Sequence, residues 1–264
     1  MIGTRSTRRS RLIAQLVATV VVIPFAFPLV TILVTSFGGE GAVANYAAVI
    51  SETPFLRFAL NSLVIAVGTV ALVYACTMSA GYAFAKMQFR GKSLLFNAIL
   101  VGLILPTLAI IVPIFITVQR LGLFSNPIAV IVPLSATLVP FTLLLARNYL
   151  VGIPDEILEA ARVDGATSFG TLIRIVIPLS APISAVVVVW AFLQAWNDLF
   201  LPLLILQDED ARAITQVPLY FTSQYGSDVP KIFASLVLLS LPIVIAYLAL
   251  QKLFERGLTA GAVK

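Results

Sequence analysis

The chain has 264 residues, 60% of them hydrophobic and only 11% charged, with a formal net charge of +5 and a mean hydropathy of +1.04. A soluble domain is about 45–50% apolar and about 25% charged, so this composition excludes a soluble globular protein and leaves one membrane domain, with no room for a second domain of ordinary size. The lack of histidine removes the commonest general base and metal ligand, the single Cys76 excludes an intrachain disulfide, and no basic patch is interleaved with aromatics, which excludes nucleic acid as a partner.

A spanning helix needs about 20 predominantly apolar residues. Six stretches meet that need, at about 12–36, 58–85, 93–118, 127–148, 182–206 and 232–253. The expected fold is an all-α integral membrane protein with six transmembrane helices. Residues 1–11 form a basic N-terminus, 12–253 the six-helix domain, and 254–264 a C-terminal tail. The first stretch follows Arg5, Arg8, Arg9 and Arg11 as a signal peptide would, but it is too long for an h-region and lacks a small-residue cleavage site. In the second, Ala71, Ala75, Ser79 and Ala83 recur at i+4 and make a small-residue stripe suited to close helix packing. Prolines inside the spans (Pro24, Pro28, Pro106, Pro113, Pro133, Pro140, Pro202 and Pro242) suit either helices bent around a path or ordinary membrane-helix irregularity.

Between the second and third spans, "RGKS" at 90–93 invites a phosphate-loop reading. That loop needs a glycine five residues before its second glycine, and Lys86 stands there. The chain therefore has no nucleotide site of its own, and no zinc, EF-hand or catalytic-triad spacing appears.

The fourth and fifth spans are separated by a polar insert, about 149–181, too long to be a plain connection. Pro154 suits a first helical position, and Asp155 and Glu156 favour the positive end of a helix dipole. "DEILEAARV" is made of good helix formers. Gly165 stands where a glycine stops a helix, and Thr167 or Ser168 can cap a second one. There Phe169, Leu172, Ile173 and Val176 share a 3.6-period face, and Pro178 closes the segment. Such a helix–turn–helix suits packing on its own spans, or docking into another protein.

Asp198, in "QAWNDLF", is the one acid well inside a span. It shares a face with Trp190, Gln194 and Asn197, which suits a path for a polyhydroxylated solute or interhelical hydrogen bonding. The loop at about 207–231 is acidic at first and aromatic later (Tyr220, Phe221, Tyr225). Orientation follows from charge. All 17 Lys and Arg except Arg57, Arg120, Arg212 and Lys231 fall in 1–11, 86–92, 147–181 or 252–264. The positive-inside rule puts those segments, the insert and both termini in the cytosol.

The insert carries a resemblance. Glu159, Ala160, Ala161, Gly165, Ile175 and Pro178 match the signature loop of ABC-importer permeases, with Ile177 where leucine is usual. "NYAAVI", "NSLVIAVGTV", "GYAFAKMQFRGK", "AWNDLFLPL" and "GLTAGAVK" resemble the carbohydrate branch of that family. The resemblance implies a type I ABC importer transmembrane domain of a bacterial or archaeal plasma membrane. Its cytoplasmic coupling-helix loop would seat in a cleft of a separate ATP-hydrolysing subunit, one of two ATP-binding-cassette subunits in the assembly, through Glu159, Ala160, Ala161, Asp164 and Gly165. It further implies a second permease subunit and an extracytoplasmic solute-binding protein, which the loop with Tyr220, Phe221 and Tyr225 would meet. ATP and Mg would bind the partner subunits, with no cofactor on this chain and no enzyme activity of its own. Non-sugar solutes (a polyol phosphate, an amino acid) are the alternative cargo. An ion-coupled secondary transporter would need a relay of intramembrane carboxylates or histidines, and only Asp198 is offered.

Overall fold

Helices account for nearly all the ordered backbone, as a lipid environment requires when every peptide group must be paired within its own segment. The computed structural model describes residues 8–223 and 226–262, and the side chains of 14–106, 108–223 and 226–248. In chain order they form α1 (Arg8–Thr35), α2 (Ala42–Ser51), α3 (Phe55–Lys86), α4 (Lys92–Leu100) with a 3₁₀ turn (Val101–Leu103), α5 (Thr107–Arg120), α6 (Ile128–Val151) and α7 (Asp155–Val163). Then come α8 (Ser168–Thr171), a π turn (Leu172–Val176), α9 (Ile177–Leu179), α10 (Ala181–Asn197) and α11 (Phe200–Ile205). Two 3₁₀ turns (Glu209–Ala211 and Ile214–Phe221) lead to a small antiparallel pair, β1 (Thr222–Ser223) and β2 (Gly226–Ser227), and to α12 (Val229–Ala262).

Among the described residues, four segments are long and apolar enough to cross a membrane: Ala14–Thr35, α3, α6 and Val229–Leu248. Two bent pairs could add to them, Lys92–Leu103 with Leu108–Arg120 at 101° and Ser168–Leu179 with Ala181–Asn197 at 86°. The stretch expected as one third span is therefore two helices. Leu105 precedes Pro106, and a residue before proline is pushed out of the helical region; Pro106 itself is extended at ψ 127° and starts α5. The other internal prolines sit within continuous helices. The expected fifth span also differs: α10 stops at Asn197, Asp198 is extended at ψ 122°, and α11 follows separately.

The chain divides into two compact units. One holds the residues through Pro54 together with Val217–Ser240, the other Phe55–Gln216 with the residues from Leu241 on. In the first, buried Asn45 donates from Nδ2 to the carbonyls of Ser36 at 2.9 Å and Gly38 at 2.8 Å, pinning α2 to the turn after α1. Lys231 lies among Asp228 (3.4 Å), Glu52 (3.7 Å) and Glu40 (4.0 Å).

In the second unit α3 and α6 pack along their length, with α10 against both. Lipid is as apolar as leucine, so close van der Waals approach decides which helix faces meet. Two glycines of α3 permit it. A Cβ on Gly68 would stand 2.6 Å from Ile131 Cδ1, and one on Gly81 3.3 Å from Leu150 Cδ1 and 3.4 Å from Ala146 Cβ. The packed face carries Phe58, Ile65, Thr69, Val73 and Thr77. The expected small-residue stripe is not this face: Ala71, Ala75 and Ser79 are exposed and Ala83 half-buried. Positions two apart on a helix differ by about 200°, so the row 69–73–77–81 and the row 71–75–79–83 lie on opposite sides. Hydroxyls join the three helices, buried Thr77 to Thr142 at 2.7 Å and half-buried Tyr74 to Ser184 at 3.0 Å.

Candidate functional site

The polar insert is built as two short helices around one glycine. Pro154 is extended (ψ 135°) and precedes the first helical residue, Asp155, so it caps α7 where the sequence suggested a first helical position. α7 ends in a Schellman turn: the Ala166 amide donates to Ala161 O at 2.9 Å and the Gly165 amide to Arg162 O at 3.0 Å. Gly165 adopts φ +79°, the left-handed region that side chains disfavour. Thr167 caps α8, accepting the Gly170 amide at 3.1 Å.

The inner side of the insert is anchored. Leu158, Leu172 and Val176 join Tyr82 of α3, Leu150 of α6 and Ile153 in one buried cluster. The expected face Phe169, Leu172, Ile173 and Val176 is split: Leu172 and Val176 are buried, whereas Phe169 is 72% exposed and Ile173 also exposed. The π turn is the reason, because its wider turn breaks the 3.6-residue period on which that stripe was counted. The helix also runs through Pro178 to Leu179, and the bend falls at buried Ser180.

The outer side is exposed. Glu159, Ala160, Asp164 and Gly165 are exposed, and Glu159 makes no hydrogen bond or ion pair among the described residues. Val163 beside them is 87% exposed. Ala161 is buried, so the close approach it permits is within the chain.

Sequence reasoning missed how the insert is tied down. Lys86, the last residue of α3, has a side chain only 6% exposed. Its Nζ donates to Asp155 Oδ1 at 2.8 Å, to Val151 O at 3.3 Å and to Ile153 O. A cation is favoured at the carbonyl end of α6 and a carboxylate in the first turn of α7, so Lys86 bridges two helix ends of opposite sign. The hydrogen bond from Lys86, and then its charge, hold the Asp155 carboxyl below its ordinary value of 3.8. The available signal was a lysine closing an apolar run; the fold alone brings residues 86 and 155 together.

The second candidate group is only partly assembled. Trp190 packs against Phe141 with ring centroids 4.9 Å apart and planes tilted by 45°, while Gln194 and Asn197 are exposed on the same helix. Asn197 Nδ2 returns to Leu193 O at 2.9 Å. Asp198 leaves that face because α10 has ended. Its Oδ1 accepts the Phe200 amide at 3.2 Å and its carbonyl accepts the Thr215 hydroxyl at 3.0 Å. In the later loop Phe221 is buried and Tyr220 half-buried; Tyr225 lies outside the described residues.

Residues 77–260, which include the whole insert and the α10–α11 break, match the family model described as "binding-protein-dependent transport system inner membrane component". The chain belongs to that family. Its relatives are ABC transporter permeases. A probable ABC transporter permease of Bacillus subtilis is 33% identical over 205 residues, 78% of this chain and 68% of that protein. An arabinooligosaccharides transport permease of Halalkalibacterium halodurans is 32% identical over 77% of this chain and 72% of that protein. A diacetylchitobiose uptake permease of Streptomyces coelicolor is 27% identical over 89% and 82%. A solved bacterial ABC transporter that imports the acidic polysaccharide alginate matches with a TM-score of 0.77, covering 96% of this chain and 99% of that one. At 20% identity, that likeness establishes the fold. This permease is thus an inner-membrane component of an ABC transport system.

Proposed function

We propose that this permease is a membrane-spanning subunit of an ATP-driven carbohydrate importer, and that the insert from Asp155 to Leu179 is its seat for the ATP-hydrolysing subunits. The single observation that carries the seat is the two-sidedness of the insert. Its inner face is anchored in a buried cluster, while its outer face presents a carboxylate without a partner, Glu159, beside bare Val163 and Phe169. A stiff element with an unpartnered charge and exposed apolar side chains fits a protein cleft.

On this reading each bent helix pair counts as one span, giving six, and both termini and the insert lie in the cytosol. Two ATPase subunits carrying ATP and Mg, a second permease and an extracytoplasmic binding protein complete the assembly. Glu159 and Asp164 meet the ATPase subunit with Ala160, Gly165 permits the turn, and Ala161 sets the helix on its own scaffold. Trp190, Gln194 and Asn197 remain the candidate path residues, and Asp198 holds the helix break beside them. Tyr220 is the described residue of the later loop best placed to meet a binding protein. The carbohydrate cargo is supported by relatives named for diacetylchitobiose, arabinooligosaccharides and alpha-glucosides.

The test is Glu159→Lys in the intact transporter. Permease abundance in the membrane should be unchanged, while the ATPase subunit no longer copurifies and growth on the transported oligosaccharide as sole carbon source stops. Normal copurification and normal growth would refute the seat. A permease-deletion strain that grows normally on every oligosaccharide tried but fails on an amino acid would refute the cargo class.

A further inference from the structure

We propose that Lys86 is a positioning residue for energy coupling: it clamps the start of α7 to the ends of α3 and α6, so that the insert is held at a fixed angle to the helices it must move. The inference rests on the reading of the insert as the ATPase seat. It begins from a burial that needs a reason. Lysine heads are strongly hydrated and rarely withdrawn from water unless paired, yet this side chain is 6% exposed. Its ammonium has three donors, and the fold supplies three acceptors: Val151 O at 3.3 Å, Asp155 Oδ1 at 2.8 Å and Ile153 O.

Those acceptors come from the last turn of α6, the connecting segment and the first residue of α7. The connection Gly152–Ile153–Pro154 contains no helix of its own. Without a clamp, Gly152 and the Ile153–Pro154 step would let α7 swing about the end of α6. Ile153 and Leu158 in the buried cluster limit sliding, but apolar contacts are non-directional. Three charge-assisted hydrogen bonds from one nitrogen fix direction. Lys86 is also the final residue of the helix most extensively packed on α6. The clamp therefore ties the insert to α3, which is remote from it in sequence.

The test uses the complete transporter in lipid nanodiscs, with a nitroxide label at Val163→Cys in a Cys76→Ala background. Three variants are compared: Lys86→Met, Lys86→Arg and Asp155→Lys. The last places a like charge opposite Lys86 at an exposed position and leaves the buried cluster untouched. Lys86→Met and Asp155→Lys should loosen the label and weaken ATPase-subunit association roughly tenfold, and Lys86→Arg should restore both. A label that stays rigid in Lys86→Met and Asp155→Lys overturns the clamp, whatever happens to association. So does a failure of Lys86→Arg to restore the label's rigidity. A loosened label in both variants with full association, accompanied by full association in Glu159→Lys, upholds the clamp and removes instead the reading of the insert as the ATPase seat.

Discussion

Gly165 offers the sharpest separation of backbone geometry from side-chain contact. Its φ of +79° lies in the left-handed region, and a Cβ built there would meet no atom within 4 Å. Any cost of substitution is therefore conformational. A side-chain-bearing residue in this region loses roughly 1–2 kcal/mol, and a β-branched one loses more. Asparagine tolerates the region and replaces glycine at helix stops. One to two kcal/mol changes a conformational ratio by about 5–30-fold, enough to unseat the Schellman turn between α7 and α8 without unfolding spans that lie elsewhere. Gly165→Val should thus lower ATPase-subunit copurification several-fold at unchanged membrane abundance. Gly165→Asn should stay near wild type, and Gly165→Ala should fall between. The measurement is the ratio of ATPase subunit to permease after affinity purification from solubilised membranes. Equal ratios for valine and asparagine would refute the reasoning, because the two differ here only in their tolerance of positive φ.

Three further outcomes follow from the same geometry. Gly81→Leu should destabilise the α3–α6 pair by about 1–3 kcal/mol through overpacking against Leu150, Ala146 and the Arg147 backbone; Thr77→Val should cost only about 0.6 kcal/mol, because Thr142 can still donate to Leu138 O at 3.1 Å. Thermal unfolding in detergent, followed by size-exclusion chromatography, should rank them in that order. Asp198→Asn should leave transport affinity unchanged, since an amide oxygen can also accept the Phe200 amide, whereas Asp198→Leu should lose about 1 kcal/mol of capping and lower abundance; an altered affinity in Asp198→Asn would reinstate it as a solute contact. Because the Asp155 carboxyl is held below its ordinary 3.8, its contribution is fully present above that value and is lost only as pH falls through the depressed one. A label at position 163 should therefore report constant rigidity between about pH 5 and 8, a range well above an ordinary carboxylate, and loosening within that range would contradict the pairing.

Much of the fold was legible because lipid imposes simple rules. Charge-free length marked α1, α3, α6 and the start of α12 to within a few residues, and Gly165 and Thr167 marked the turn of the insert, since caps are local chemistry. What was hidden depends on angles accumulated along the chain or on partners distant in sequence. The stripe Ala71, Ala75, Ser79 and Ala83 was visible in α3, but only the position of α6 decides that Gly68 and Gly81 lie on the packed side instead. The π turn was invisible because nothing in "LIRIV" forbids an ordinary turn, and it reversed the roles of Phe169 and Ile173. The ten-residue α2 is too short to register as a span. Asp198 was read as lying in the middle of a helix because "NDLF" continues the apolar run, whereas its carboxylate is used to start the next helix. The loop after α11 begins acidic, yet Ala213, Ile214 and Val217 are buried within it.

The placement of these ties bears on how force could pass through the permease. α3 is joined to α6 by the Thr77–Thr142 bond and to α10 by the Tyr74–Ser184 bond. Gly68 and Gly81 let α3 approach α6 more closely than a side chain at either position would allow. Packed interfaces of this kind are bistable and resist continuous deformation. A displacement applied at α7 reaches α3 and α6 together, through Lys86 and the cluster around Tyr82, Leu150 and Leu158. It reaches α10 by a second route, through α8, the π turn and the 86° bend at Ser180. Both routes lead from the insert to the same three helices. The helices themselves are broken at the step before Pro106, at the Ser180 bend and at the Asp198 junction. Because Thr215 holds the Asp198 carbonyl, the far end of α10 is tethered to the loop behind it. Rotation of the bundle should accordingly move that loop along with Gln194 and Asn197.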